Sequence, residues 1–130
     1  MFTNFFNTKN ENSSLKYHQI LDENDWKTIK ENSFVMPQII FKHSERCSIS
    51  RWVLKHFESA YHLEETQVSW HLIDVVSKRE ISQKIANDLN VIHESPQLLI
   101  IKQGQCVYHA SHESINYEKV EEIVQDIKLS

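Results

Sequence analysis

The chain has 130 residues, 40% of them apolar and 25% charged, and a formal net charge of -4. That length supports one continuous hydrophobic core without help from disulfides or metal, and the acidic balance, with no Lys/Arg run, argues against a nucleic-acid partner gripped through its phosphates. No stretch approaches the roughly 18 consecutive apolar residues of a membrane span, and two cysteines fit a reducing, cytoplasmic setting better than a disulfide scaffold.

Residues 1–14, rich in Asn, Ser and Thr, read as a loose tail without a signal-peptide pattern, in which Phe2, Phe5 and Phe6 are candidate anchors. Residues 15–130 read as a single domain. A short strand is expected over Tyr17–Leu21, and Asp22 is a suitable cap for a helix carrying Trp26 and Ile29 to about Asn32. Phe34–Phe41 has the continuous apolar character of a strand buried on both faces, with Pro37 near its start. Ile49, Trp52, Val53, Phe57 and Ala60 then recur at helical spacing, predicting an amphipathic helix over 48–61. A further strand is expected over Gln67–Val76 and a helix over Lys78–Leu89, carrying Ile81, Ile85, Ala86 and Leu89.

Leu98–Ile101 is a short apolar strand, and the only glycine, Gly104, marks a hairpin to Cys106–His109. Tyr117, Val120, Ile123, Val124 and Ile127 define a closing helix capped by Asn116 or Ser114. The order βαβαβαββα predicts an α/β protein, a mixed sheet between two layers of helices with an antiparallel hairpin at its C-terminal side. Trp26, Trp52 and Trp70 are all expected on core-facing positions.

Cys47 lies where the strand gives way to the helix. Free N–H groups and the positive end of the helix dipole favour an anion there, and the thiolate is the nucleophilic form of cysteine. Arg46, with Lys42, His43 and Arg51 nearby in sequence, pushes the same way, while Glu45 opposes. Ser50 stands where a second cysteine would complete a C-x-x-C motif, and one turn on it could hydrogen bond to the sulfur. A buried structural cysteine is the alternative reading. His43 reads first as a surface histidine, and second as a group that raises the thiolate fraction or serves as an acid for the leaving thiol.

Cys106 is expected roughly 20 Å from this loop at about 3.3 Å per strand residue, as a buried filler and not a disulfide partner. His109, His112 and Glu113 invite a metal reading, but they share no fixed face and have no cysteine pair beside them, so no metal site is expected. Asp74 is read as a cap for the helix that follows it, with a proton acceptor near the thiol as the other possibility. Glu121 and Glu122 read as a solvated helix face.

His93-Glu-Ser-Pro-Gln97 lies between the third helix and the fourth strand, and an X-Pro bond before a buried strand can be cis. With the element order and Cys47, this combination resembles the thioredoxin superfamily, in which a cis-proline loop faces the active-site cysteine. Narrower still, Phe41-Lys-His-Ser-Glu-Arg-Cys-Ser-Ile-Ser50, Ile81-Ser-Gln-Lys-Ile-Ala86, His93-Glu-Ser-Pro-Gln97 and His109-Ala-Ser-His-Glu-Ser-Ile115 are similar to the bacterial monothiol bacilliredoxins of type C, over roughly residues 17–125.

The resemblance implies a thioredoxin-like three-layer sandwich and removal of bacillithiol from mixed disulfides on cytosolic proteins. Cys47 would be the attacking nucleophile and Pro96 the cis-proline, with Ser95 and Pro96 meeting the substrate. Ser50 would be the position lacking a resolving thiol; read from the residues themselves, Arg46, Ser48, Ser50 and His43 are the candidates to support the thiolate. No bound cofactor or metal is implied, bacillithiol being a co-substrate, and the partners would be S-bacillithiolated proteins. Many members carry Cys-Pro-Ile-Ser; Ser48 replaces that proline and restores an N–H near the sulfur, which implies a changed redox poise with the same reaction type. His109, Ser111 and His112 match the family without a physical role beyond polar contacts at a sheet edge. Two other functions are compatible with one thiol in this fold: an iron-sulfur and glutathione-linked role like that of monothiol glutaredoxins, and a non-catalytic interaction module.

Overall fold

The computed structural model describes residues 15–129, so the expected tail with Phe2, Phe5 and Phe6 lies outside the described residues. Five strands, β1 (His18–Gln19), β2 (Gln38–His43), β3 (Ser69–Asp74), β4 (Gln97–Lys102) and β5 (Gln105–Ser111), form one sheet in the order β1-β3-β2-β4-β5. β1, β3 and β2 are parallel; β4 runs antiparallel to β2, and β5 antiparallel to β4. The helices are α1 (Glu23–Asn32), α2 (Ser48–Ala60), α3 (Arg79–Leu89) and α4 (Tyr117–Leu129), with one 3-10 turn at His112–Ser114 before α4. The expected order is thus the observed one.

Alternation along the central strands divides the core. Ile39 and Phe41 of β2, Trp70 and Leu72 of β3 and Leu98 and Ile100 of β4 pack with Val53, Phe57, Tyr117, Val120 and Val124 of α2 and α4. Ile40, Ile73, Leu99 and Ile101 point the other way, to Trp26, Ile29 and Ile85 of α1 and α3. Because residues i and i+1 of a strand face opposite sides, continuous apolar runs such as Leu98–Ile101 are what a sheet covered on both faces requires. The caps hold as expected: Asp22 accepts the Asp25 N–H at 3.0 Å, and Asn116 accepts the Lys119 N–H at 2.9 Å.

The hairpin turn has positive φ at both Gln103 (54°) and Gly104 (76°), the backbone of a two-residue type I′ connection. A side chain at Gly104 would also meet the Phe34 ring at 3.3 Å. Ser33, just past α1, ties this turn down: its carbonyl accepts the Gln103 N–H and its hydroxyl accepts the Gly104 N–H, both at 2.9 Å.

Three local expectations are corrected. β2 begins at Gln38 and not at Phe34, because Phe34–Met36 turn back on the end of α1 through N–H bonds to the Glu31 and Asn32 carbonyls, which leaves Phe34 and Val35 exposed. The buried stripe of α2 is Ser50, Val53, Leu54 and Phe57; Ile49 (45%) and Trp52 (58%) are exposed. Hydrophobicity alone rotates that stripe by one position, since a serine with partners can be buried and a tryptophan cannot betray its direction by composition. Asp74 does not cap α3, whose N-cap is Lys78; its Oδ1 accepts the N–H groups of Val76 (2.9 Å) and Ser77 (3.4 Å), closing the turn after β3.

One buried histidine predicts an acid sensitivity. His71 on β3 donates from Nε2 to Gln38 Oε1 at 2.8 Å, and burial, reinforced by His18, holds its pKa down to about 4. The folded state therefore binds fewer protons than the unfolded chain between about pH 6.5 and 4, so stability from this group is intact above that window and is lost as the pH falls through it. Unfolding free energies from urea titrations at pH 7.5 and 4.5 should differ by about 2 to 3 kcal/mol more in the parent than in His71→Met, where this titration is gone. Equal differences in the two proteins would refute this assignment.

Candidate active site

β2 delivers the chain to the site. Its last residues pair Lys42 with Gln97, so the end of β2 lies beside the start of β4 and beside Ser95–Pro96. The Ser95–Pro96 peptide bond is cis. β5 ends at the same edge, where Ser111 pairs with Gln97. Cys47, the cis-proline and the 3-10 turn therefore gather at one end of the sheet.

Cys47 is the N-cap of α2, with extended backbone (φ -103°, ψ 121°), a half-buried side chain and no side-chain capping bond. Its carbonyl accepts the Arg51 N–H at 3.0 Å, the first turn of the helix. This is the position at which unpaired first-turn N–H groups and the dipole favour negative charge. Ser48 is the first helical residue and, like Arg46, is exposed. The Ser95 hydroxyl, next to the cis bond, is buried without a hydrogen-bond partner.

Ser50 departs from expectation. Its side chain is fully buried, and its hydroxyl engages His43 Nδ1 at 2.7 Å and accepts the Ser44 N–H at 3.0 Å, where a bond to the Cys47 sulfur was expected. The reading of His43 as a surface residue is likewise corrected: it is 3% exposed, held between Ser50 on Nδ1 and Glu45 on Nε2 at 2.8 Å. The Glu45 carboxylate is turned to His43 and otherwise exposed. Arg51 is exposed and donates to the Glu45 carbonyl at 2.6 Å.

Lys42 is not beside the thiol. Being one residue from His43 on a strand, it points to the opposite face of the sheet, where it is fully buried. Its Nζ donates to the Ser82 carbonyl (3.1 Å) and to His93 Nδ1 (3.0 Å), and burial lowers its pKa to about 8. Burial also lowers the pKa of His93, with Lys42 and Arg79 adding to the effect. Lys42 thus anchors the start of the cis-proline loop from beneath. Sequence reasoning missed this contact; a lysine inside an apolar strand, paired with a histidine in the proline motif, was the available signal.

The same loop is held from its other side. Ser111 Oγ donates to Glu94, and the His112 N–H donates to the Pro96 carbonyl at 2.9 Å. Ser111 and the His112 backbone therefore gain a role that sequence did not offer, fastening the loop to β5. His109 and His112 are exposed, and no group of three or more metal-ligating side chains occurs among the described residues.

Cys106 pairs with Ile101, at the end of the sheet opposite Cys47, and faces the α1–α3 layer. It is half-buried, its Sγ donates to the Tyr108 carbonyl at 3.3 Å, and burial raises its pKa. Both cysteines are free. No helix among the described residues is long and apolar enough to cross a membrane.

Comparisons with known proteins agree with this geometry. Residues 18–120 match the family model described as monothiol bacilliredoxin BrxC. A protein proposed as an oxidoreductase with a thioredoxin fold is 28% identical, with a TM-score of 0.68 over 82% of this chain and 92% of that one. Thioredoxin from Trypanosoma brucei brucei (16% identity, TM-score 0.67, covering 88% and 92%) and thioredoxin from Malassezia sympodialis (15%, 0.66, 85% and 89%) share the fold. The strand order, the cis-proline edge and the family match over most of the described residues together place this chain in the monothiol bacilliredoxin BrxC family, proteins of thioredoxin fold with a thiol redox function.

Proposed function

We propose that this chain is a monothiol thiol-disulfide oxidoreductase of the bacterial cytoplasm that removes bacillithiol from mixed disulfides on proteins. The observation that carries the reading is a single thiol at the α2 N-cap, beside the cis-proline edge, with a serine at the resolving position and Cys106 at the far end of the sheet. The chain then has one sulfur to spend on exchange, and the second thiol comes from outside.

The Cys47 thiolate attacks the bacillithiol sulfur of the mixed disulfide. A new S–S bond joins Cys47 to bacillithiol, the old one breaks, and the client protein leaves as a thiolate that takes a proton from water. A second bacillithiol, as thiolate, attacks the outer sulfur, forming bacillithiol disulfide and returning Cys47 as thiolate. Two electrons move in each step and no cofactor is needed. We assign Ser95 and Pro96 to the path by which the substrate sulfur arrives; Ile49 and Trp52 are exposed apolar residues on α2, the helix that Cys47 caps.

A reporter protein carrying one bacillithiol on a single cysteine tests this. With excess bacillithiol, catalytic amounts of the chain should release reduced reporter and bacillithiol disulfide in equal amounts, and Cys47→Ser should fall to the uncatalysed rate. A parent rate no faster than bacillithiol alone, or a stable brown iron-sulfur dimer after anaerobic reconstitution, would overturn it.

A further inference from the structure

Glu45, His43 and Ser50 form a continuous hydrogen-bonded chain from solvent to the first turn of α2. Glu45 is the outer member, its side chain 74% exposed, with Oε2 2.8 Å from His43 Nε2. Nδ1 of the buried His43 is 2.7 Å from the Oγ of Ser50, which has no solvent contact. The complete burial of Ser50 rules out a hydrolytic nucleophile in this serine-histidine-glutamate set. It leaves a group that can move a proton.

We propose that this chain is a proton relay for Cys47, with His43 storing the proton and the Ser50 hydroxyl passing it. The inference rests on Cys47 being the exchanging thiol, and it gives Ser50 a positive role in place of a missing cysteine. A serine hydroxyl has one hydrogen and two lone pairs. One lone pair is taken by the Ser44 N–H at 3.0 Å. With neutral His43, Nε2–H donates to Glu45 and Nδ1 must accept, so the Ser50 hydrogen points to His43 and none is left for sulfur.

With protonated His43, Nδ1–H fills the second lone pair of Ser50. The serine hydrogen is then released from that bond and free to rotate, three residues past the N-cap Cys47. The Glu45 carboxylate balances the imidazolium charge. When the Cys47–bacillithiol bond breaks, the electron pair goes to Cys47 Sγ, the Ser50 proton passes to that sulfur, and the His43 Nδ1 proton replaces it on Ser50. The reverse transfer regenerates the thiolate beside an imidazolium for the next attack, and exposed Glu45 exchanges protons with water.

Other charges face His43. Arg51, Lys55 and Glu58 of α2 line a cavity of about 140 Å³ with His43 and Glu45. Asp74 of β3 is opposite in register, Arg46 is in the loop, and Tyr17 lies near enough to Glu45 and Glu58 to be raised in pKa by them after burial. The start of β4 contributes uncharged Gln97. None of these hydrogen bonds to the Ser50 hydroxyl, which is held by His43 and Ser44, and Lys42 is on the other face of the sheet.

The test is the alkylation rate of Cys47 against pH, in a Cys106→Ser background so that one thiol reports. The parent should show two steps, the lower one tracking His43. His43→Gln and Ser50→Ala should each give one step, with the rate on the lower plateau reduced about tenfold by loss of a charge-assisted bond to the thiolate. Glu45→Gln, at an exposed position that does not threaten folding, should keep two steps and move the lower one to lower pH. A single step in the parent, two steps persisting in Ser50→Ala with native circular dichroism, or an unmoved profile in Glu45→Gln would overturn the relay. No bacillithiol is present, so a chain with the relay that fails the reporter assay refutes the proposed function alone.

Discussion

Ser50→Cys is expected to change the order of the reaction. In the parent, decay of a bacillithiol adduct on Cys47 requires an external thiol, so its rate rises in proportion to free bacillithiol. Residues i and i+3 at a helix start lie about 5 to 6 Å apart, within the range a disulfide can bridge. A sulfur at position 50 would attack Cys47, expel bacillithiol and close a ring, as in C-x-x-C proteins. Adduct decay followed by quenched mass spectrometry should become independent of bacillithiol and, against about 1 mM external thiol, at least about a hundredfold faster, because a neighbouring group far exceeds millimolar effective concentration. Decay that stays proportional to bacillithiol would show that position 50 does not face the sulfur. The same substitution removes the hydroxyl bonded to His43, so its alkylation profile should also lose the lower step.

Trp70→Ala should be the most destabilising single change outside the site. Trp70 is fully buried at the centre of an aromatic group, with ring centroids of Tyr61, Tyr17 and Phe57 at 4.7, 5.0 and 5.1 Å. Truncation of a packed tryptophan leaves a cavity and costs about 3 to 5 kcal/mol. Its indole N–H is buried without a partner, a group that already costs the native state something. Trp70→Phe, which removes that donor and keeps most of the ring volume, should therefore cost less than about 2 kcal/mol. Urea unfolding with an unchanged m-value measures both, and a Phe variant as unstable as the Ala variant would contradict this accounting.

The fold was legible because its signals are local and periodic. Ile39–Phe41 and Leu98–Ile101 are apolar at consecutive positions, in strand-length runs flanked by Pro37, Pro96 and Gly104, as a strand covered on both faces requires. Asp22 and Asn116 cap helices with their own side chains, and Gly104 permits the positive φ of the hairpin. The cis bond at Pro96 was legible only by resemblance, since proline alone leaves the isomer open.

What was not legible depends on which polar groups find each other in space. Lys42 and His43 are sequence neighbours in a charged stretch and read alike, yet the two-residue repeat of the strand sends one beneath the cis-proline loop and the other to Ser50. Trp52 matched a helical period but belongs to the exposed side of α2, because the buried stripe runs through Ser50, a serine with two partners two positions before it. The tether from Ser111 and His112 to Glu94 and Pro96 joins residues that meet only when β5 pairs with β4.

The central claim is that Cys47 alone is the exchange centre. Intact-mass analysis after exposure to bacillithiol disulfide should show one adduct, mapped by peptide digestion to Cys47, absent in Cys47→Ser and retained in Cys106→Ser. An adduct carried chiefly by Cys106 would contradict it.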